Sequence, residues 1–425
     1  MVLSVLSNKN EIINLIKKII NVVPEIADII VNYYLNDTIY KTNRAFAVIL
    51  ADGSVVSWGN KYEGGDSSVV KQKLKNVVSI YSTDSAFAAI LEDGHVVTWG
   101  NEDSGGDSST VQDDLKDVKM VYSTNNAFAA ILEDGRVITW GNKYYGGDSS
   151  AVREKLMNVK TIYSTKYGGF VAKLADGSII TWGFFSDILI NIQEKLRGIK
   201  TIYSTMYDRF AAILEDGSVV SWGLVSYDNN FPDIQHKLKN VKKIYSTNWG
   251  AFAVILEDGC VVTWGNKDNG GDSSAVQHKL VNVVSIYSTY GAFAAILANG
   301  CVVTWGNQEN GGDSSFVQHK LINVVSIYST INTFTALLEN GSIVAWGGEN
   351  FGDYSSIQNK FKNVKKIYSN GSTFASILEE GVVTWGNQSC PTKYKLKNVR
   401  KIDSNNSTFI AILEDRSIVT LNSIY

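Results

Sequence analysis

The chain has 425 residues, of which 44% are hydrophobic and 11% aromatic, so a large core can form. Its formal net charge of −3 provides no overall attraction to nucleic acid or anionic lipid. Three cysteines are too few for a disulfide framework, and the sequence contains no apolar run long enough for a membrane span. Its first residues also lack the features of a secretory signal peptide. We therefore expect an intracellular protein that is cytoplasmic or nuclear. A virus-infected cell or a virion is the alternative location.

The first 36 residues differ from the rest of the chain. Apolar residues recur at helical spacing in residues 12–23 and again in residues 26–33. This pattern predicts two amphipathic helices, with Pro24 in the first turn of the second one. We expect residues 1–36 to form a helical N-terminal cap that covers the edge of the first repeat. The alternative is a helix pair that docks on a partner.

Residues 37–425 form a tandem repeat that is marked by a Trp-Gly pair. The pair recurs nine times, and a tenth copy ends at Leu421 where Trp would stand. A period of about 41 residues is typical of a propeller, a solenoid or an array, so we predict ten modules of this length. The tryptophans of the pair are Trp58, Trp99, Trp140, Trp182, Trp222, Trp264, Trp305, Trp346 and Trp385.

The sequence pattern of each module predicts three short strands followed by a short helix. In the second module, β-branched and aromatic residues indicate strands at residues 77–83, 86–91 and 96–100. The Asp93-Gly94 dipeptide readily takes the positive φ angles of a tight hairpin turn between the last two strands. Gly-Gly-Asp-Ser-Ser at residues 105–109 then predicts a sharp bend and a helix cap rather than a phosphate loop or a calcium site.

The recurring apolar residues are expected to form the core. Because nine of the ten tryptophans share one repeat position, we interpret them as structural rather than as base-stacking or sugar-binding residues. The alanines of the second strand leave room for neighbouring sheets to approach closely. Cys260 and Cys301 occupy equivalent positions in adjacent modules, and we expect two unlinked thiols.

The pattern Leu-x-x-x-Gly-x-Val-x-x-Trp-Gly with a later Gly, which runs from Leu91 to Gly105, resembles the repeat of the regulator of chromosome condensation family. The resemblance covers about residues 38–425 and implies a β-propeller. Ser-Thr and Ala-Phe replace the family's usual Gly and His-Thr, and ten short modules replace the usual seven. The fold prediction is an all-β repeat protein with short helices, a propeller-like ring of about ten three-stranded modules. An open superhelical array is the alternative, and the helical start and imperfect last repeat slightly favour incomplete closure.

The resemblance implies several activities, because the family includes a guanine-nucleotide exchange factor for a small GTPase as well as scaffolding modules. No exchange-loop residue of that factor can be matched to this chain. The four histidines (His95, His236, His278 and His319) form no catalytic or metal-ligand constellation. We therefore predict a non-enzymatic scaffold for protein partners, without cofactor or metal. The alternatives are an exchange regulator of a small GTPase and a nucleic-acid- or chromatin-associated protein.

Irregular positions suggest where a partner would bind. Four consecutive modules place Tyr167, Tyr207, Trp249 and Tyr290 in the loop between the first two strands, with Arg209 among them. Most other modules carry small polar residues in this loop. Because Tyr, Trp and Arg are typical of interface hot spots, these five residues are the candidate protein-binding site. The alternative is that the aromatic residues only cover the alanine-rich edges of the next module.

The C-terminal modules are locally basic. Residues 360–401 contain nine Lys or Arg side chains and two glutamates. Lys365, Lys366, Lys397, Arg400 and Lys401 are therefore the candidates for a weak nucleic-acid contact, which would depend steeply on salt concentration. A solvated, solubilising edge is the alternative.

Overall fold

The computed structural model describes residues 38–165, 169–184, 196–205, 209–223, 234–348, 361, 363–364, 366–379, 381–386, 389–415 and 417–421. The N-terminal cap predicted for residues 1–36 lies outside these ranges. The described residues form ten antiparallel sheets, one per module, each built from strands that are consecutive in the chain. Nine sheets have three strands, and the ninth module has a fourth. The predicted all-β repeat architecture is therefore confirmed.

We call the strands of each module inner, middle and outer, because the first strands of successive modules contact one another. In chain order, module by module, they are β1 (Ile39–Lys41), β2 (Ala45–Ile49), β3 (Val55–Gly59); β4 (Val77–Ser82), β5 (Ala86–Leu91), β6 (Val96–Gly100); β7 (Val118–Ser123), β8 (Ala127–Leu132), β9 (Val137–Gly141); β10 (Val159–Thr165), β11 (Gly169–Leu174), β12 (Ile179–Gly183); β13 (Ile199–Ser204), β14 (Arg209–Leu214), β15 (Val219–Gly223); β16 (Val241–Ser246), β17 (Ala251–Leu256), β18 (Val261–Gly265); β19 (Val283–Ser288), β20 (Ala292–Leu297), β21 (Val302–Gly306); β22 (Val324–Ser329), β23 (Thr333–Leu338), β24 (Ile343–Gly347); β25 (Ile367–Ser369), β26 (Thr373–Leu378), β27 (Gly381–Gly386), β28 (Ser389–Tyr394); and β29 (Val399–Ser404), β30 (Phe409–Leu413), β31 (Ile418–Leu421).

Four residues, 92–95, separate the middle and outer strands of the second module. In the second module Leu91 N–H donates to His95 O, and Gly94 N–H donates to Leu91 O, both at 2.9 Å. Gly94 has φ +78°, whereas Asp93 is not among the residues with positive φ. Instead, Asp93 Oδ1 accepts the His95 N–H at 3.0 Å. The prediction of a tight Asp-Gly turn is corrected to a longer loop in which only the glycine is left-handed.

The connection after each Trp-Gly pair contains 3₁₀ turns rather than one short helix. In the second module Asn101 Oδ1 accepts the Ser104 N–H at 3.0 Å, and Gly105 ends this first turn with φ +91°. Asp107 Oδ1 then accepts the Ser109 N–H at 2.8 Å, but the 3₁₀ turn that follows has Val111 as its N-cap and no side-chain cap, so the motif of this module forms a local turn rather than the predicted helix cap. The described 3₁₀ turns are Lys61–Glu63, Ser68–Val70, Glu102–Ser104, Gln112–Asp114, Lys143–Tyr145, Ser150–Lys155, Gln235–Lys237, Lys267–Asn269, Gln277–Lys279, Gln308–Asn310 and Gln318–Lys320.

The core lies between neighbouring modules. Ala86 and Ala88 of the second module are fully buried against Phe128 and Trp140 of the third. Within the third module these two rings stack with their centroids 5.2 Å apart. Because each sheet packs on the next one, burial of apolar surface joins the modules as well as forming them.

The tryptophans also connect neighbouring modules through hydrogen bonds. Trp140 Nε1 donates to Gly105 O of the preceding module at 3.1 Å, and this bond is buried. A Cβ atom at Gly105 would lie 2.6 Å from Phe128 Cδ2, so the glycine also permits close packing. The same indole-to-glycine bond is made by Trp99, Trp182, Trp305 and Trp346.

The ring is closed by contacts between the first and tenth modules. Ile39 and Phe46 belong to the same apolar cluster as Ile410 and Ile412. At this seam Lys41 Nζ also donates to the Ser404 carbonyl at 2.6 Å. The open superhelical alternative, and with it the expectation of incomplete closure, is therefore wrong, because the two terminal sheets bury each other's faces.

Candidate binding site on the loop face

The ring has two faces, which follow from the antiparallel strands. Inner strands run towards the face that carries the inner–middle loops, which we call the loop face. The middle–outer hairpins lie on the opposite side, which we call the hairpin face. The loop face surrounds a cavity of about 900 Å³ that is lined by serine, threonine and asparagine residues from successive modules. Among the described lining residues, the charged side chains are those of Lys41 and Asp84.

A chain of serine hydrogen bonds joins the ends of the inner strands. Ser82 Oγ donates to Lys41 O and Ser123 Oγ donates to Ser82 O, each at 2.7 Å. Each serine thus binds the equivalent carbonyl of the preceding module. The same contact is made by the pairs Ser246–Ser204, Ser288–Ser246 and Ser404–Ser369.

A second set of bonds, which we call the belt, links the inner–middle loops through their backbones. Asn43 N–H donates to Asp84 O at 2.8 Å, and Asp84 N–H donates to Asn125 O at 2.9 Å. The belt uses no side chains at these positions, so it allows large changes in residue type. It continues from Trp249 to Tyr290, from Tyr290 to Ile331 and from Ile331 to Gly371.

The seam interrupts the serine pattern with a charged contact. Lys41 stands in the first module where other modules carry the serine, and Asp403 stands in the tenth where others carry tyrosine. Lys41 Nζ donates to Asp403 Oδ1 at 3.0 Å, and Lys401 Nζ donates to Asp403 Oδ2 at 3.1 Å. Burial alone would raise the pKa of Asp403, but the neighbouring Lys41 ammonium and the hydrogen bonds hold it below its usual range.

The structure brings Arg209, Trp249 and Tyr290 of the candidate protein-binding site together. Trp249 and Tyr290 are both half-buried, and their rings meet edge to face with centroids 6.3 Å apart. Arg209 Nη1 donates to Gly250 O at 2.9 Å, beside Trp249 in the chain. Tyr290 also lines the cavity of the loop face. Tyr167 and Tyr207 lie outside the described residues, and their membership of the site stays a prediction.

The candidate basic residues lie in different surroundings. Lys401 is paired with Asp403, and Lys366 Nζ lies 5.0 Å from the ring centre of Tyr368. Lys397 and Arg400 are exposed near the start of the tenth inner strand. Lys365 lies outside the described residues. Because the Asp403 carboxylate offsets one cation, the basic edge is less positive than the sequence count indicates.

Within the described ranges, no three His, Cys, Asp or Glu side chains come together as a metal site. The same residues include no helix that is long and apolar enough to cross a membrane. Cys260 and Cys301 are both free thiols, as predicted.

Comparison with known proteins gives matches only among solved structures, since no family model and no curated protein matches. The chain is similar to Prp20p from Saccharomyces cerevisiae, the yeast RCC1 protein, with 14% identity over 88% of this chain and 90% of that chain and a TM-score of 0.33. Human WBSCR16 has 13% identity over 87% and 84%, with a TM-score of 0.32. The ectodomain of receptor kinase CR4 from Physcomitrella patens has 12% identity over 71% and 70%, with a TM-score of 0.34. At these identities and TM-scores, no function is carried over from these structures to this chain.

Proposed function

We propose that the chain is a non-catalytic scaffold that binds a protein partner on its loop face through Trp249 and Tyr290. The observation that carries this proposal is the position of the two aromatic residues in the belt. The belt needs only their backbone groups, because Asn43, Asp84 and Asn125 make the same bonds elsewhere in the ring. Packing of the belt therefore gives no reason for large aromatic side chains in two adjacent modules.

The chemistry of the pair suits a protein surface. Both rings are half-buried, so they are held in place while part of each remains accessible. Rigid aromatic anchors of this kind carry much of the binding energy in protein interfaces. Arg209 acts here as a positioning residue, since its guanidinium binds the Gly250 carbonyl and so holds the loop that carries Trp249.

The test uses the residue that other modules carry at this position. The double variant Trp249→Asn/Tyr290→Asn keeps both belt bonds, and Asn125→Ala serves as a control elsewhere in the belt. We expect a protein that is recovered from source-cell lysate by the wild type and by the control to be lost with the double variant. Circular dichroism must show that all three chains are folded. Equal recovery by the three baits would refute the loop-face site.

A further inference from the structure

The hairpin face is charged in most modules but not in the seventh and eighth. In modules two to eight each inner strand is preceded by a buried leucine, and in the tenth by the half-buried Leu396; two exposed positions follow this leucine, one and four residues later. Outside modules seven and eight, at least one of the two is Lys or Arg in every described case. These pairs are Lys75 and Val78, Lys116 and Lys119, Met157 and Lys160, Arg197 and Lys200, Lys239 and Lys242, and Lys397 and Arg400.

Modules seven and eight carry aliphatic side chains at both positions. Val281 and Val284 are 50% and 62% exposed, and Ile322 and Val325 are 53% and 61% exposed. The two modules are adjacent, because their inner strands β19 and β22 contact each other. We call these four residues the aliphatic patch. Exposed apolar side chains that cluster in this way, rather than singly, mark interaction sites.

The hairpins beside the patch carry fewer acidic residues than most others, although Glu339 remains in the eighth module. Asn299 and Asn340 replace the aspartate that most other hairpins carry, and Ala298 replaces a glutamate. In the third module the exposed cation at the start of the inner strand contacts the glutamate of the hairpin, since Lys119 Nζ lies 3.9 Å from Glu133 Oε2. In the seventh module both partners of this pair are absent, whereas the eighth module lacks the cation and keeps Glu339. The aliphatic patch is therefore accompanied by a less acidic hairpin in both modules.

Exposed lysines border the aliphatic patch. Lys239, Lys242 and Lys243 lie in the sixth module on one side, and Lys366 lies in the ninth on the other. Lys279, also exposed, precedes the patch within the seventh module, whose own hairpin carries no carboxylate. Beside the patch, Ile322, Leu338 and Glu339 help to line a cavity of about 290 Å³. An apolar surface with cations on both sides complements a ligand that combines aliphatic and acidic residues.

We propose that the aliphatic patch is a docking surface for an acidic, aliphatic segment of a partner protein. The aliphatic side chains of the segment cover Val281, Val284, Ile322 and Val325, and its carboxylates pair with the bordering lysines. This site lies on the hairpin face and uses none of the residues of the loop-face proposal. It can therefore stand or fail independently of the proposed function.

The test uses a fluorescein-labelled, 16-residue helical peptide with one face of leucines flanked by glutamates. The variant Val284→Ser/Val325→Ser removes the aliphatic side chains without adding charge. Val78→Ser makes the same change in the second module, away from the patch. We expect fluorescence anisotropy to show at least tenfold weaker binding to the double variant and unchanged binding to Val78→Ser. A peptide with lysines in place of glutamates should bind the wild type more weakly.

Several results would overturn the proposal. They are the absence of acidic-peptide binding to the wild type, equal binding to the double variant, or equal binding of the lysine peptide. A wild-type dimer in sedimentation that becomes monomeric in the double variant would identify a second copy of this chain as the occupant instead. If the double variant does not fold, Val281→Ser/Ile322→Ser tests the other half of the patch in the same way.

Discussion

Replacing Asp403 by Asn is expected to loosen the closure of the ring. The Asp403 side chain is 16% exposed and accepts bonds from Lys41 and Lys401, whose side chains are 46% and 44% exposed. A hydrogen bond to a charged group contributes about 1.5–3 kcal/mol, whereas an exposed ion pair contributes only about 0.2–1 kcal/mol. Because both lysines remain partly solvated, we expect a loss of about 1–2 kcal/mol in the free energy of opening the seam. This corresponds to an increase of about tenfold in the population of opened rings.

The contribution of Asp403 depends on pH in a defined direction. Its pKa in the folded ring is lowered by Lys41, despite the opposing effect of burial. The ionised carboxylate therefore stabilises the closed ring fully above its unfolded pKa of about 4. This stabilisation is lost as the pH falls through the lower folded pKa. The Asn variant should lack this part of the pH dependence.

Hydrogen exchange of the β1–β2 and β29–β30 hairpins measures the opening of the seam directly. We expect faster exchange in Asp403→Asn than in the wild type at pH 7, with a smaller difference at pH 3. Glu133→Gln is the matched control, since its pair with Lys119 spans 3.9 Å and both side chains are more than 60% exposed. If the two variants show the same exchange at the seam, the ion pair does not contribute to closure and the reasoning fails.

The remaining predictions concern the contacts between modules. Gly105→Ala should lower the free energy of unfolding by about 2–5 kcal/mol, because strain at φ +91° adds to overpacking against Phe128. Gly177→Ala, with φ +82° but nothing within 4 Å, should cost only about 1–2 kcal/mol in the same urea titration, and an equal loss would contradict the packing argument. Trp140→Phe leaves the Gly105 carbonyl without its donor and should cost about 1–3 kcal/mol. A thermal midpoint equal to that of the wild type would contradict the indole bond.

The repeat could be predicted from the sequence because it depends on local signals. Alternating apolar residues define the strands, and the Trp-Gly period gives the number of modules. The closure of the ring could not be predicted in this way. It depends on the apolar contacts between the first and last sheets and on Lys41 and Asp403, which lie 362 residues apart and depart from the repeat in two different strand positions. The Lys41–Asp403 ion pair becomes apparent only when the first and last modules are placed side by side.

The candidate site was predicted in part. The adjacency of Trp249 and Tyr290 followed from counting modules, because equivalent loops of consecutive modules are neighbours in a stacked array. The role of Arg209 could not be predicted by counting modules. It begins a middle strand where most modules carry a small residue, and from there its long side chain reaches the next module's Gly250 carbonyl. Sequence alone does not show which way such a side chain extends.

Two departures from the repeat are each compensated by a partner. Lys41 replaces a serine, and Asp403 supplies its counter-charge across the seam. The fifth module lacks the Gly-Gly motif, and Trp264 Nε1 of the sixth instead donates to Ser221 Oγ at 3.2 Å. A compensated change keeps the ring intact, so it is explained by stability. The belt does not require the aromatic side chains of Trp249 and Tyr290, although Trp249 packs over Gly291, where a Cβ atom would lie 3.0 Å from its Cε3. For this reason they are the positions at which a search for the partner should begin.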